Sequence, residues 1–294
     1  MGGAVDDGES CYPSTVDVDH VVDAEAFLRD AGPWLERAGP ENNHVLGLAT
    51  GRDADVEFWV VRDGRGGLSG AAGRRGRRPL GITRLGDVAR AALIAELRGS
   101  GTVLSGVVGP RPDVDHFVRR WGGPSRLRMD QQVYAATSPI APATSAPGAH
   151  RSAGAADRAD LGPLLAAFFE ESGMPQPAAS ADQLVAEHLE TGGLHVWRDD
   201  GVIVSLAVLG AFTPEGVRID VLYTRPGRRK RGYAVSLVRA VTNEALVGRR
   251  YCVVYADRRS PSANAVYQHL GFDAAFESRL YDLGLVAPEG EASG

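Results

Sequence analysis

The stretch "TRPGRRKRGYAVSLV", residues 224–238, sets four consecutive basic residues, Arg228, Arg229, Lys230 and Arg231, against Gly232. The run before it, "VRIDVLYT", is rich in β-branched residues and reads as a strand. From Gly232 onward, Ala234, Leu237, Val238, Val241 and Ala245 recur with the period of an amphipathic helix until Gly248. A strand therefore ends near Thr224, a turn follows, and a helix starts around Lys230 to Gly232. The first N–H groups of a helix have no intrahelical acceptor, and the helix dipole favours anions there. Gly232 and Ala234 carry little side chain, so a pyrophosphate can approach the backbone, and the neighbouring Arg and Lys add charge-assisted contacts. Physics alone gives a polyphosphate site without saying which one. An NAD fingerprint and a Walker sequence are both missing.

The bulk numbers make this run informative. The chain has 294 residues, enough for two domains or one large one, and a formal net charge of -5. That balance argues against a general nucleic-acid binder, so a dense basic run is a local device. No stretch approaches the ~20 apolar residues of a membrane span. Residues 1–14 lack the order of a signal peptide, so a cytoplasmic protein with a loose N-terminus is expected. Cys11 and Cys252 make no disulfide framework, and Cys252, within "YCVVYA", reads as a small buried hydrophobe. The seven histidines are scattered without zinc spacing, so no metal is expected, and no serine-hydrolase elbow occurs. Trp34, Trp59, Trp121 and Trp197 read as core or interface residues.

"TSPIAPATSAPGAH", from Thr137, has no hydrophobic period and divides the chain near its middle. The two halves close alike. "GTVLSGVVGPRPDVDHFVRRWGG" reads as strand, turn and a helix opened by Pro112 and stopped at Gly122. "RYCVVYADRRSPSANAVYQHLGF" reads the same way between Pro261 and Gly271. The Pro-to-Gly interval is 10 in both, and proline and glycine suit those helix positions. A strand follows each. The second half reads β-α-α-β-β-β-α-β-α-β, with Ser180 as an N-cap and Asp200-Gly201 as a hairpin turn. A duplicated α/β unit is the expectation. Its parts are a flexible N-terminus 1–18, a first domain 19–136, a linker 137–149, a second domain 150–285 and a flexible tail 286–294.

At these residues the chain resembles the GNAT acyltransferases. "RKRGYA", Arg229 to Ala234, matches their R/Q-x-x-G-x-G/A signature. "SANAVYQHLGF" looks like its usual partner, in the right order and roughly thirty residues on. The resemblance covers 151–283, and the whole chain looks like two-part proteins with a degenerate GNAT-like first domain. It implies an α/β fold of tandem GNAT-like domains, each a mixed, mostly antiparallel sheet flanked by helices. It also implies acetyl-CoA or another acyl-CoA as co-substrate. Leu222, Tyr223 and Thr224 would pair with the pantetheine arm as an extra strand does. Arg229, Lys230, Arg231, Gly232, Tyr233 and Ala234 would cradle the pyrophosphate. Asn264 would contact the pantetheine or the acyl side, and Tyr267 would protonate the departing CoA thiolate.

For the general base the residues leave alternatives: Asp220 on the strand into the site, Glu170 or Glu171 in "FFEESG", His195, or a water chain. The plain reading of Tyr267 is a ring packed in the core, and that of Asp220 is a charge on the outward strand face. Aligning Pro112 on Pro261 sets Val118 opposite Tyr267 and Asp115 opposite Asn264, and "GRRGRR" precedes "PLGIT", a strand. The first half is therefore expected to be catalytically inert, shaping the acceptor cleft or a dimer contact. The expected activity is transfer of an acyl group, acetyl first, to a small-molecule amine, by a monomer or homodimer. Acetylation of a protein N-terminus or lysine, and a non-catalytic acyl-CoA sensor, are the alternatives. Transfer from aminoacyl-tRNA is disfavoured by the acidic balance.

Overall fold

Local signals in the sequence act where they stand. Ser180 accepts from the Gln183 amide, and Gln183 reaches back to the Ser180 amide, a capping box. Asp200 and Gly201 both take positive φ, 49° and 75°, as a two-residue hairpin turn between strands requires. These and similar signals delimit the elements of the computed structural model, which describes residues 16–51, 55–172 and 179–284. Cys11 and nearly all of the two expected flexible ends lie outside the described residues.

The first half runs β1 (Asp17–Val21), α1 (Ala24–Glu36), α2 (Gly39–Thr50), β2 (Val56–Arg62), β3 (Leu68–Arg75) and β4 (Leu80–Ile82). It continues with α3 (Asp87–Gly99), β5 (Gly106–Pro110), α4 (Arg111–Trp121) and β6 (Ser125–Ala136). The second half runs β7 (Ala149–Ser152), α5 (Arg158–Ser172), α6 (Ala181–Glu190), β8 (Leu194–Asp199), β9 (Val202–Gly210) and β10 (Gly216–Thr224). Then come α7 (Tyr233–Leu246), β11 (Tyr251–Asp257), α8 (Pro261–His269) and β12 (Asp273–Leu283). The duplicated strand–helix–strand ends of the two halves are β5-α4-β6 and β11-α8-β12.

The halves do not keep separate sheets. One sheet of 12 strands runs β1-β2-β3-β4-β5-β12-β6-β11-β10-β9-β8-β7. Each half lends its last strand to the other: β12 pairs with β5, and β6 pairs with β11. The two lent strands pair antiparallel at the centre, from Asp273↔Ala135 to Leu283↔Ser125. Asp130 stands opposite Arg279 in that ladder, and Arg279 is as far from Pro261 as Asp130 is from Pro112, so the two positions are equivalent. An approximate two-fold axis passes there. It is pinned by charge: Arg279 donates to Asp115 at 2.8 and 3.0 Å and to Asp130 at 3.2 Å, and Glu277 accepts from Arg111 and Arg258.

Helices cover both faces. Leu237, Val238, Val241 and Ala245 of α7 are buried on one face with Val217, Ile219, Cys252 and Val254. On the other, α5 and α6 bury Leu161, Leu165 and Val185 against Val196, Leu206 and Tyr223. The first half's α2 lies on this second face and reaches the other half. Asn43 donates to the Ala211 carbonyl at 3.3 Å, and a Cβ on Gly47 would stand 2.5 Å from that of Ala211. The segment expected as a linker is tied along α7: Asn243 bonds both the amide and the carbonyl of Ile140, and Ser236 accepts from Ala146.

A chain cut within 137–149 should give two pieces that assemble when co-expressed. Each alone lacks its partner's strand and exposes unpaired edges, so it should aggregate. Size-exclusion chromatography of the separately expressed pieces checks this, and a monomeric, cooperatively unfolding second half would overturn it.

Candidate active site

Strand β10 pairs in parallel with β11 only over Gly216–Ile219 and Tyr251–Val254. Beyond Ile219 it follows β9 to Thr224, with a register shift at Asp220. β11 instead follows β6 to Asp257. A wedge opens between Val221–Thr224 and Tyr255–Asp257, and among the described residues no strand fills it. Leu222, Tyr223 and Thr224 line its β10 side. Leu222 leans towards the α7 core, Tyr223 is buried on the α5 face, and the Thr224 hydroxyl meets that of Ser205 at 2.9 Å.

At the wedge mouth the basic run makes its turn. Arg225 to Arg229 close a tight turn by accepting amides onto Arg225 and Pro226. Lys230 then takes φ 61° and Gly232 φ 81°, and α7 begins. From Lys230 to Val235, no amide finds an acceptor among the described residues, and the next one, Ser236, bonds back to Gly232. Residues of alternating hand with unpaired amides, at a helix N-terminus, form an anion-binding concavity. A Cβ on Gly232 would meet only Ala146, at 3.8 Å, so its glycine is demanded by the backbone angle.

The side chains of the run divide. Arg229 donates to the Thr224 carbonyl at 2.9 Å and to Glu171 at 2.6 Å, and lies 5.3 Å over the Tyr223 ring. Glu171 also accepts from the Tyr223 hydroxyl at 2.7 Å; that bond and Arg229 hold its carboxyl below the ordinary range. Arg228 pairs with Asp199 at 3.7 Å, and the Tyr233 hydroxyl bonds the same carboxylate. Lys230 and Arg231 stand exposed beside the open amides, and Ala234 follows with its small side chain half-buried. Glu170 is exposed at the end of α5; it is Glu171, one position on, that reaches the wedge mouth.

Tyr267 is the one buried residue of α8 and packs against Tyr134 and Phe272, with ring centroids 5.9 and 5.7 Å away. Burial, with the Cys252 thiol beside it, pushes its phenol far above the ordinary value. Its hydroxyl has no hydrogen-bond partner among the described residues, so its proton is held and uncommitted. Asn264 spends its amide on the Asp257 and Ser260 carbonyls, at 2.8 and 2.7 Å, and accepts from Tyr134 at 3.0 Å. It brackets the start of α8 to the end of β11. Cys252 is fully buried, its thiol pushed up to about 12 by burial.

On the α2 face of the wedge a polar group comes from both halves. Asp220 is ion-paired with Arg218, whose guanidinium lies 5.5 Å over the Tyr255 ring and 3.4 Å from His44 of α2. Burial, helped by Arg218, drops His44 to about 3, so it is neutral. Burial also lowers His188 of α6, against the charge of Asp220. His195 lies on the opposite face, beside α7, away from this group. Sequence reading left out Arg218, His44, Tyr255 and His188. Only the packing of α2 and α6 over β10 brings them together, and no spacing in the chain signals it.

The first half repeats the architecture, and there too the amides of residues 86–89 have no acceptor among the described residues, the first paired one being that of Arg90, to Gly86. The turn before α3 gives its Leu85 amide to Asp113 at 2.9 Å, and Arg90 bonds Leu85 and Asp113. Asp113 is 7% exposed. A built-in carboxylate thus takes one amide of the turn ahead of α3. A cavity of about 520 Å3 remains beside it, lined by Trp34, Arg37, Glu41 and Arg84 among others.

Residues 160–272 match the Acetyltransferase (GNAT) family model, and this part of the chain is a GNAT acetyltransferase domain. No curated protein matches the chain in sequence. Among solved structures, a GCN5-related N-acetyltransferase from Sphaerobacter thermophilus is similar at 17% identity, with 92% of this chain and 98% of that one covered and a TM-score of 0.59. A tandem GNAT protein from the clavulanic acid biosynthesis pathway aligns at 14% identity over 93% of this chain and all of its own, with a TM-score of 0.56. An acetyltransferase of the GNAT family from Colwellia psychrerythraea gives 10% identity, 91% and 98% coverage and a TM-score of 0.56. The fold is therefore a tandem GNAT-like α/β arrangement across both halves. GNAT acetyltransferases take acyl-CoA as donor. Among the described residues no helix is long and apolar enough to cross a membrane.

Replacing Gly232 by Val puts a β-branched side chain at φ 81° and should cost about 1–2 kcal/mol of stability. Because the turn itself would shift, acetyl-CoA affinity should fall roughly tenfold, equivalent to about 1.4 kcal/mol. Calorimetric titration with acetyl-CoA, paired with a thermal melt, reads both.

Proposed function

We propose that the chain is an acyl-CoA-dependent N-acyltransferase, acetyl-CoA being the first donor to consider, that acts on a small-molecule amine by direct transfer. The observation that carries this is the set of open amides from Lys230 to Val235, beside a wedge whose β10 edge is unpaired. A diphosphate fits the amides in charge and in donor direction, with Lys230 and Arg231 alongside, and Arg229 and Tyr233 brace the turn. Leu222, Tyr223 and Thr224 offer backbone to an extended pantetheine arm.

The thioester supplies the activated acyl group; the chain positions an amine against it. Tyr267, protonated and without a hydrogen-bond partner among the described residues, is the group to protonate the departing thiolate. Asn264 sets the helix that carries it. Asp220, at the strand irregularity on the α2 face, is the candidate to take the amine's proton, directly or through water, on release from Arg218. Glu170 is exposed, so it is a weaker candidate for the same task. Direct transfer is supported by Cys252, whose buried thiol is too weakly acidic to serve as a nucleophile. A small acceptor is supported by α2, which walls the acceptor side with His44 and leaves less room for a peptide. The first half, which supplies α2, shapes that wall.

The test is release of free CoA from acetyl-CoA and longer acyl-CoAs against a panel of amines. With an active pair, Tyr267→Phe should lower kcat by about 100-fold while leaving the dissociation constant for CoA within about twofold of wild type. Tight CoA binding without release from any pair would instead make the protein a sensor. No CoA binding at all would remove the site.

A further inference from the structure

His150, on β7, and His195, on β8, are distant in sequence. The antiparallel pairing sets His150 opposite Trp197 and Ser152 opposite His195, which makes the two histidines diagonal neighbours on the α7 face. Their rings stack with centroids 5.3 Å apart, and Nε2 of His150 lies 3.1 Å from Nδ1 of His195. Glu244, late in α7, points a carboxylate oxygen at the same place, 3.8 Å from the first nitrogen and 4.0 Å from the second.

Two imidazoles alone at this distance make an N–H···N hydrogen bond. The near-equidistant carboxylate adds a third ligand atom, and the three lie within 4.8 Å of one another. Two nitrogens bound to one tetrahedral zinc at about 2.0–2.1 Å stand roughly 3.3 Å apart. The observed separation needs only a small opening to admit an ion. Two imidazoles and a carboxylate are a common zinc ligand set, with a fourth position left for water. Glu244 is 55% exposed and His195 only 5%, so the group has a sealed floor and an open mouth.

We propose that His150, His195 and Glu244 form a binding site for a divalent transition-metal ion of the zinc type, separate from the acyl-CoA seat. Glu244 is twelve residues after Gly232, roughly 18 Å along the helix. The ion would clamp the late turns of α7 to the edge hairpin β7–β8. Since the early turns of α7 present the open amides, the clamp would fix the helix that carries the seat without touching the reaction.

The experiment is calorimetric titration of zinc chloride into tag-free, chelator-treated full-length protein, with thermal melts alongside. One equivalent should bind, and zinc at about 100 times its dissociation constant should raise Tm by about 5 °C. Glu244→Ala and His150→Ala should each weaken binding roughly tenfold or more. Without zinc, Glu244→Ala, at an exposed position, should melt within about 2 °C of wild type, separating lost ligation from lost folding. No heat with zinc at about 100 µM would overturn the proposal. Binding undiminished in both variants would also overturn it, placing the ion elsewhere.

Discussion

Strand β11 hydrogen-bonds to β10 on one side only as far as Val254 and to β6 on the other as far as Asp257. It follows the strand lent by the first half rather than its own neighbour, and β10 follows β9 around the irregularity at Asp220. The wedge is the space left by that divergence. Unpaired strand edges are normally covered or blunted, so an edge left open at the centre of a covered sheet is a place prepared for another chain of donors and acceptors. The helix that starts above it, with its first amides unspent, gives the same place an affinity for anions. The geometry of the site is thus set by strand pairing before any side chain contributes.

Much of this was legible in the residues. Capping at Ser180, the Asp200-Gly201 turn, the period of α7 and the matched Pro-to-Gly helices each act locally, so the elements could be read without knowing how they pack. The basic run before Gly232 marked the turn that opens α7 for the same reason. What sequence could not carry was the exchange of β6 and β12. Both strands have the alternation of a half-buried strand, and nothing in that pattern says which sheet they join. The segment 137–149 read as a loose connection because it has no hydrophobic period. It is held by polar side chains of α7, Asn243 and Ser236, whose purpose is invisible until the helix is placed.

The same limit applies to side chains. Glu170 and Glu171 differ only in helix phase, and the fold turns Glu171 onto Tyr223 and Arg229. Asn264 and Tyr267 were read from one motif, yet one is bound up with backbone carbonyls and the other's hydroxyl has no hydrogen-bond partner among the described residues. His44 and Arg218 come from different halves and meet only because Gly47 lets α2 approach Ala211. Histidine spacing along the chain gave no hint that His150 and His195 would face each other, because a hairpin edge and a linker decide it.

Asp113 marks how duplicated units diverge. In the first half Asp113, a carboxylate supplied by the chain, accepts the Leu85 amide ahead of α3 and meets Arg90. In the second half the amides of the turn ahead of α7 meet no such carboxylate among the described residues. Two turns at matching places in the duplicated units thus differ in whether the chain sets a carboxylate against them, and one sheet joins them.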